Sequence, residues 1–257
     1  MTALLELTLG TRCEITLANP PLNVVSHELT VQLRAALKEV AAHPEARVLV
    51  LTGAGGRAFC AGSDIAEFEA LHRRAAEDKL LLEKLVYRQL ARLAIPTIAA
   101  IEGHALGGGL ELALSCDLRV ASEQSKLGMP ELKLGVLPGS GGTQRLARVV
   151  GLARAKELIL LGEVVTAERA EQIGLVNRVA PRGSALDVAR ELADTIASRG
   201  PRAARLAKWL IDSSLDRTLD EGLALELDAS EDVFDSEDML EGARAFREKR
   251  TPRFTGH

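Results

Sequence analysis

Two short strand-like apolar runs open the chain, at Leu4–Leu9 and Cys13–Leu17, and a polar turn carrying Asn19, Pro20 and Pro21 follows them. From Ser26 to His43 the period lengthens. Leu29, Leu33, Ala36, Leu37 and Val40 recur at helical spacing until Pro44 closes the pattern. The VLVL of Arg47–Thr52 is a short run suited to burial on both faces of a sheet, and glycines 53, 55 and 56 break it. Ser63 or Asp64 is placed to cap a further helix, with Glu67 completing a capping box. A charged helical region, Arg73–Leu93, leads to Pro96 and a buried strand at Thr97–Ile101, and another strand is expected at Asp117–Ala121. Strand and helix alternate, so the fold class is α/β. From Ser184 onward the texture is helical: Ser184 with Asp187 and Thr218 with Glu221 mark helix starts, and no strand pattern follows. Arg199, Gly200 and Pro201 punctuate a boundary, giving an α/β core over 1–197 and an all-helical region over 198–257.

Composition narrows the function classes. Hydrophobic residues make up 47% and charged residues 26% of the 257, a globular balance that excludes global disorder. A net charge of -4 gives no general pull toward nucleic acid. Aromatics are 3%, with one tryptophan and one tyrosine, so a base-stacking platform is not expected either. Cys13, Cys60 and Cys116 are odd in number and widely spaced, which fits a reducing compartment and no zinc site. No apolar run reaches the ~18 residues of a membrane span, and the N-terminus lacks a basic leader. The expectation is a soluble, cytoplasmic protein with no membrane partner.

The chemistry concentrates between Ile101 and Arg145. Gly107, Gly108 and Gly109 lie between a strand and an apolar helical run, where each glycine costs roughly 1 kcal/mol relative to alanine. Three at a helix start suggest backbone amides that must approach a ligand closely. Glu111 follows two residues later, and Glu131 twenty after that, just before the glycine-rich turn Gly135–Gly142. Taken singly, each acid reads as an ordinary helix-face or loop carboxylate. Together they have the makings of an acid/base site. GAGGRA at Gly53–Ala58 matches a dinucleotide-loop pattern, but Phe59 and Cys60 stand where a helix should begin, so a simple loop is the better reading. His104 reads as a strand-end residue. Ser140 lacks the G-x-S-x-G context and a His/Asp partnership, which argues against a serine hydrolase.

Three segments carry a resemblance: AFCAGSDIAEF (58–68), IEGHALGGGLELALSCDLRVAS (101–122) and MPELKLGVLPGSGGTQRL (129–146). GEVVTAERAEQIGLVNRV (162–179) and FREKRTPRF (246–254) extend it over nearly the whole chain. In these the chain resembles the crotonase superfamily, closest to its enoyl-CoA hydratases. The resemblance implies a spiral of ββα units followed by helices that build a homotrimer, with hexamers formed as dimers of trimers. It implies an acyl-CoA thioester substrate, as in fatty-acid β-oxidation, and no cofactor or metal, since coenzyme A is part of the substrate. It assigns Glu111 and Glu131 as the catalytic pair, with Glu111 mainly activating water and Glu131 protonating C2. The backbone N–H groups of Ala61 and Gly108 become the oxyanion hole, and Gly139 helps to hold the water. Arg57, Cys60, Ala61, Ser63, Asp64 and Ile65 line the CoA path, with Lys249 and Arg250 as further candidates for its phosphates. Residues 69–91 match no motif and are expected to line or gate the acyl pocket.

Retention of both glutamates favours a hydratase over the alternatives within the superfamily, a double-bond isomerase or a hydratase of a specialised acyl group. A hydratase-like RNA-binding paralogue would carry a lysine-rich first long helix. Between Ser26 and His43 the basic side chains, histidine aside, are Arg34 and Lys38, so this alternative is remote.

Overall fold

The computed structural model describes residues 2–257. Its core is a ββα unit used repeatedly. In chain order the elements are β1 (Leu5–Thr8), β2 (Arg12–Leu17), α1 (His27–Ala42), β3 (Val48–Gly53), β4 (Ala58–Cys60), α2 (Ile65–Leu71), α3 (Leu81–Ala91), β5 (Thr97–Ile101), β6 (His104–Leu106) and α4 (Gly108–Ala113). There follow β7 (Leu118–Ser122), β8 (Lys126–Gly128), α5 (Gly142–Leu161), β9 (Val164–Thr166), α6 (Ala167–Gln172) and β10 (Arg178–Ala180). Four helices close the chain: α7 (Ala185–Ala197), α8 (Pro201–Ser213), α9 (Leu219–Phe234) and α10 (Glu237–Glu248).

β1 and β2 both join the larger of two sheets, and each later pair of strands sends one member to each sheet. A six-stranded sheet has the order β1-β2-β3-β5-β7-β10, and a four-stranded sheet the order β4-β6-β8-β9. Apart from the antiparallel pairs β1–β2 and β8–β9, neighbours run parallel. The central strands of the larger sheet, β3 and β5, are buried on both faces, as VLVL predicts. Val48 and Val50 of β3, with Ile98 and Ala100 of β5, pack toward the alanine stripe Ala185, Ala189 and Ala193 of α7. The alternate residues Leu49, Leu51, Ala99 and Ile101 join the main core with Leu29, Leu33 and Leu37 of α1. Small residues on α7 let that helix lie close to the sheet.

Local signals behave unevenly. Ser26 caps α1 by accepting from the Leu29 N–H, and Thr218 and Glu221 form a full capping box on α9. Asp64 caps α2 through the Ala66 N–H, but Glu67 does not complete a box. Its carboxylate reaches away to the His27 N–H and to Lys79, because α2 packs beside the start of α1. Ser184 precedes α7 without a side-chain cap bond. The region 73–93, expected as one helix, is broken into a 3-10 turn at His72–Arg74, a π turn at Ala76–Leu80 and then α3. No strand follows β10 among the described residues, and Gly200 and Pro201 open α8.

The four-stranded sheet sits close beneath α4. A β-carbon on Gly109 would lie 2.0 Å from the Cys60 carbonyl oxygen, so this position accepts only glycine without moving β4. Gly109→Ala is expected to cost about 1–3 kcal/mol, the usual scale for overpacking. A lower urea midpoint with an unchanged m-value would record it.

Candidate active site

β4, β6 and β8 run parallel, and the chain leaves their carboxyl ends into three segments that meet there: Ala61–Ser63, Gly107–Glu111 and Met129–Glu131. This is the usual address for ligands in parallel sheets. Gly107 turns the chain from β6 into α4 at φ +52°, a left-handed conformation that glycine adopts without strain. The turn brings it against Glu131, whose Oε1 would lie 3.2 Å from a β-carbon at Gly107.

Glu111 is 2% exposed, in the first turn of α4. Its Oε1 accepts two backbone N–H groups, from Ser140 at 2.8 Å and Gly142 at 2.7 Å, both at the glycine-rich entry to α5. Burial pushes its carboxyl up to about 7, and the Glu131 and Glu83 charges add to that, while the two amides oppose it. Burial also raises Glu131, whose two carboxylate oxygens are buried without a hydrogen-bond partner among the described residues. The two acids therefore differ in kind: one is held rigidly by amides, the other is unpaired. Around Glu111 stand Arg145, whose guanidinium donates to the Ser140 carbonyl, and the buried Tyr87, whose hydroxyl donates to the Gly108 carbonyl at 3.0 Å.

The comparisons with known proteins agree with this geometry. The family model described as Enoyl-CoA hydratase/isomerase matches residues 10–257. The chain belongs to the enoyl-CoA hydratase/isomerase family. It is 39% identical over 229 residues to a short-chain-enoyl-CoA hydratase of Clostridium acetobutylicum, covering 89% of this chain and 88% of that protein. It is 45% identical over 214 residues to an enoyl-CoA isomerase/hydratase of Mycosarcoma maydis, covering 83% of this chain and 78% of the relative. The crystal structure of an enoyl-CoA hydratase from Bacillus anthracis superposes with a TM-score of 0.96 at 40% identity, covering 99% of this chain and 100% of that one. The α/β spiral with its C-terminal helices is thus the crotonase fold.

For a member of this family, the expected site residues fall out as follows. Glu111, Glu131 and Gly108 come together. Ala61 requires a correction: its N–H donates to the Leu22 carbonyl at 3.0 Å and is not free to serve an oxyanion hole. Two residues on, the Ser63 amide faces Gly108, its nitrogen 3.2 Å from where a β-carbon of Gly108 would stand. Neither the Ser63 nor the Gly108 N–H has an acceptor among the described residues. Gly139 lies against Leu80, and the amides that reach Glu111 belong to Ser140 and Gly142. Cys60 is buried beside the site, and burial pushes its thiol up to about 12, which leaves it unreactive. Asp64 is spent on its cap, and Ile65 is 58% exposed. Arg57 lines an open cavity of about 400 Å³ with His104, Gln124 and Arg182. Arg250 is paired with Glu241 and Glu248. The GAGGRA loop runs into β4 rather than a helix, so it does not form a dinucleotide cradle. Sequence reasoning missed the Ser140 and Gly142 amides; the advance signal was the glycine-rich turn Gly135–Gly142 that carries them.

A carboxyl whose folded pKa is raised holds its proton where the unfolded chain has lost it. Folding stability therefore falls as pH rises from the ordinary value of 4.5 through about 7. Glu111→Gln keeps an acceptor for the two amides and removes the buried charge. Its stability from urea unfolding is expected to exceed the parent's at pH 8 by up to the order of 3 kcal/mol, with the gap closing toward pH 4.5.

Proposed function

We propose that this chain is an enoyl-CoA hydratase, a hydro-lyase that adds water across the 2,3-double bond of a trans-2-enoyl-CoA to give a 3-hydroxyacyl-CoA. The observation that carries the reading is the asymmetry of the two buried carboxylates beside two uncommitted amides. The Ser63 and Gly108 N–H groups would hold the thioester oxygen and stabilise the enolate charge that develops as water adds at C3. Glu111, fixed by Ser140 and Gly142, suits removal of the water's proton. Glu131, whose two carboxylate oxygens have no partner among the described residues, is free to face C2 and suits delivery of a proton there. Titration belongs to the pair rather than to either acid alone. No separate cofactor enters this scheme, because coenzyme A arrives as the substrate's own handle, with Arg57 a candidate partner for its phosphates.

The reading extends to self-association into a trimer or hexamer. Leu219, Leu223, Leu227 and Phe234 of α9 are all more than half exposed, an apolar face unusual for a monomer. Sedimentation equilibrium is expected to give a mass of three or six chains, and Leu223→Glu with Leu227→Glu to reduce it.

Activity is tested by following loss of the conjugated enoyl-thioester absorbance with crotonyl-CoA. The parent is expected to hydrate it, and Glu111→Gln and Glu131→Gln each to lose about 10²-fold or more. kcat/KM should rise with pH as Glu111 ionises near 7 and fall again at higher pH as Glu131 loses the proton it must deliver, a bell-shaped profile. A parent inactive across short and medium acyl chains would sink the hydratase reading. One that moves a 3-enoyl double bond without adding water is an isomerase.

A further inference from the structure

Behind the two catalytic segments lies a buried ionic cluster that the proposed chemistry does not use. Glu83, on α3, is fully buried, and Lys79, one helical turn earlier in the π turn, is 1% exposed. Lys79 Nζ is 3.1 Å from Glu83 Oε1, and it also donates to the Val25 carbonyl at 2.8 Å and to Glu67. Its three donors are thereby spent. The remaining capacity of Glu83 points at the site. Its Oε2 accepts from the Ser63 hydroxyl at 3.1 Å and from the Ser140 hydroxyl at 2.9 Å.

Both serines have two functions. The Ser63 amide faces Gly108 while its hydroxyl is held by Glu83, and that hydroxyl oxygen would lie 2.7 Å from a β-carbon at Gly108. The Ser140 amide donates to Glu111 while its hydroxyl donates to Glu83. We propose that Glu83 is a positioning residue, one carboxylate that fixes the oxyanion-hole segment and the Glu111 cradle relative to each other. It touches no reacting atom. It acts by setting where two backbone amides point, and its contact with Lys79 holds it in place. A hydrogen bond to an ionised acceptor is stronger than a neutral one, so a carboxylate suits this task better than an amide.

This inference rests on the reading of the site given above. The test compares the parent, Glu83→Gln, Ser140→Ala and the double variant. The readouts are crotonyl-CoA hydration and, separately, exchange of the C2 protons of butyryl-CoA in deuterated water by NMR. Exchange needs the oxyanion amides and a carboxylate that takes a C2 proton and returns a deuteron, and it adds no water. In Glu83→Gln, kcat and the exchange rate are expected to fall roughly tenfold with KM changed less than about twofold. Ser140→Ala in the Glu83→Gln background should cost little more, the mark of two residues in one linkage. The acidic limb of kcat/KM should move to lower pH, since the Glu83 charge helps to raise Glu111. The other ionisable groups facing Glu111 are Glu131 after β8, Tyr87 on α3 and Arg145 on α5, and all are unchanged in these variants. If Glu83→Gln does not fold, Lys79→Met with Glu83→Gln removes cation and anion together and carries the same expectation. A variant that melts earlier but keeps kcat, exchange and the pH limb overturns the proposal. A parent that exchanges but does not hydrate overturns the hydratase reading and leaves Glu83 testable by exchange. A parent that does neither overturns both.

Discussion

A carboxylate taken out of water must find donors, and for Glu111 these are the amides of Ser140 and Gly142, some thirty residues downstream. The arrangement of the site depends on this contact. It docks the entry of α5 onto α4, fixes the glycine-rich loop between them, and sets the distance from Glu111 to Glu131. Two backbone donors leave the second carboxylate oxygen of Glu111 uncommitted. They also hold the acid without a neighbouring cation strong enough to keep its pKa low, so burial decides the balance.

With few aromatics and no cationic side chain bonded to either acid among the described residues, the site draws its polarity from the main chain. Amides from Ser63, Gly108, Ser140 and Gly142 converge on a small volume because the spiral stacks three turns of chain there. Side chains enter mainly as supports: Tyr87 on the Gly108 carbonyl, Arg145 on the Ser140 carbonyl, Glu83 on two hydroxyls. Such supports are invisible in a list of reacting groups, yet they fix the angles at which the amides point.

Legibility in the sequence follows the length of each element. α1, β3, β5 and the capping box of α9 have enough residues or a distinct enough pattern to be read directly. β4, β6, β8 and β9 of the second sheet have three residues each, too few for any period, so that sheet could not be anticipated from pattern. The acids and the triple glycine were legible because they cluster in one block. The segment proposed to hold the thioester oxygen lies two residues beyond the expected one, at Ser63 rather than Ala61, because which amide of a short loop is free depends on Leu22, a contact forty residues away. Glu83 was hidden in a charged helical stretch that matches no motif and was expected only to line or gate the acyl pocket. Its burial arises from tertiary packing that local sequence does not report.

The short strands of the second sheet have a consequence for how the protein matures. Residues 61–63, 107–111 and 129–142 lie in three successive turns of the spiral, and none of the three contacts another through the six-stranded sheet alone. A chain that has assembled only that sheet carries every reacting group in covalent order but has no site. Turnover is therefore a property of the closed spiral as a whole, and in a refolding chain it would report the arrival of the last turn rather than the appearance of secondary structure.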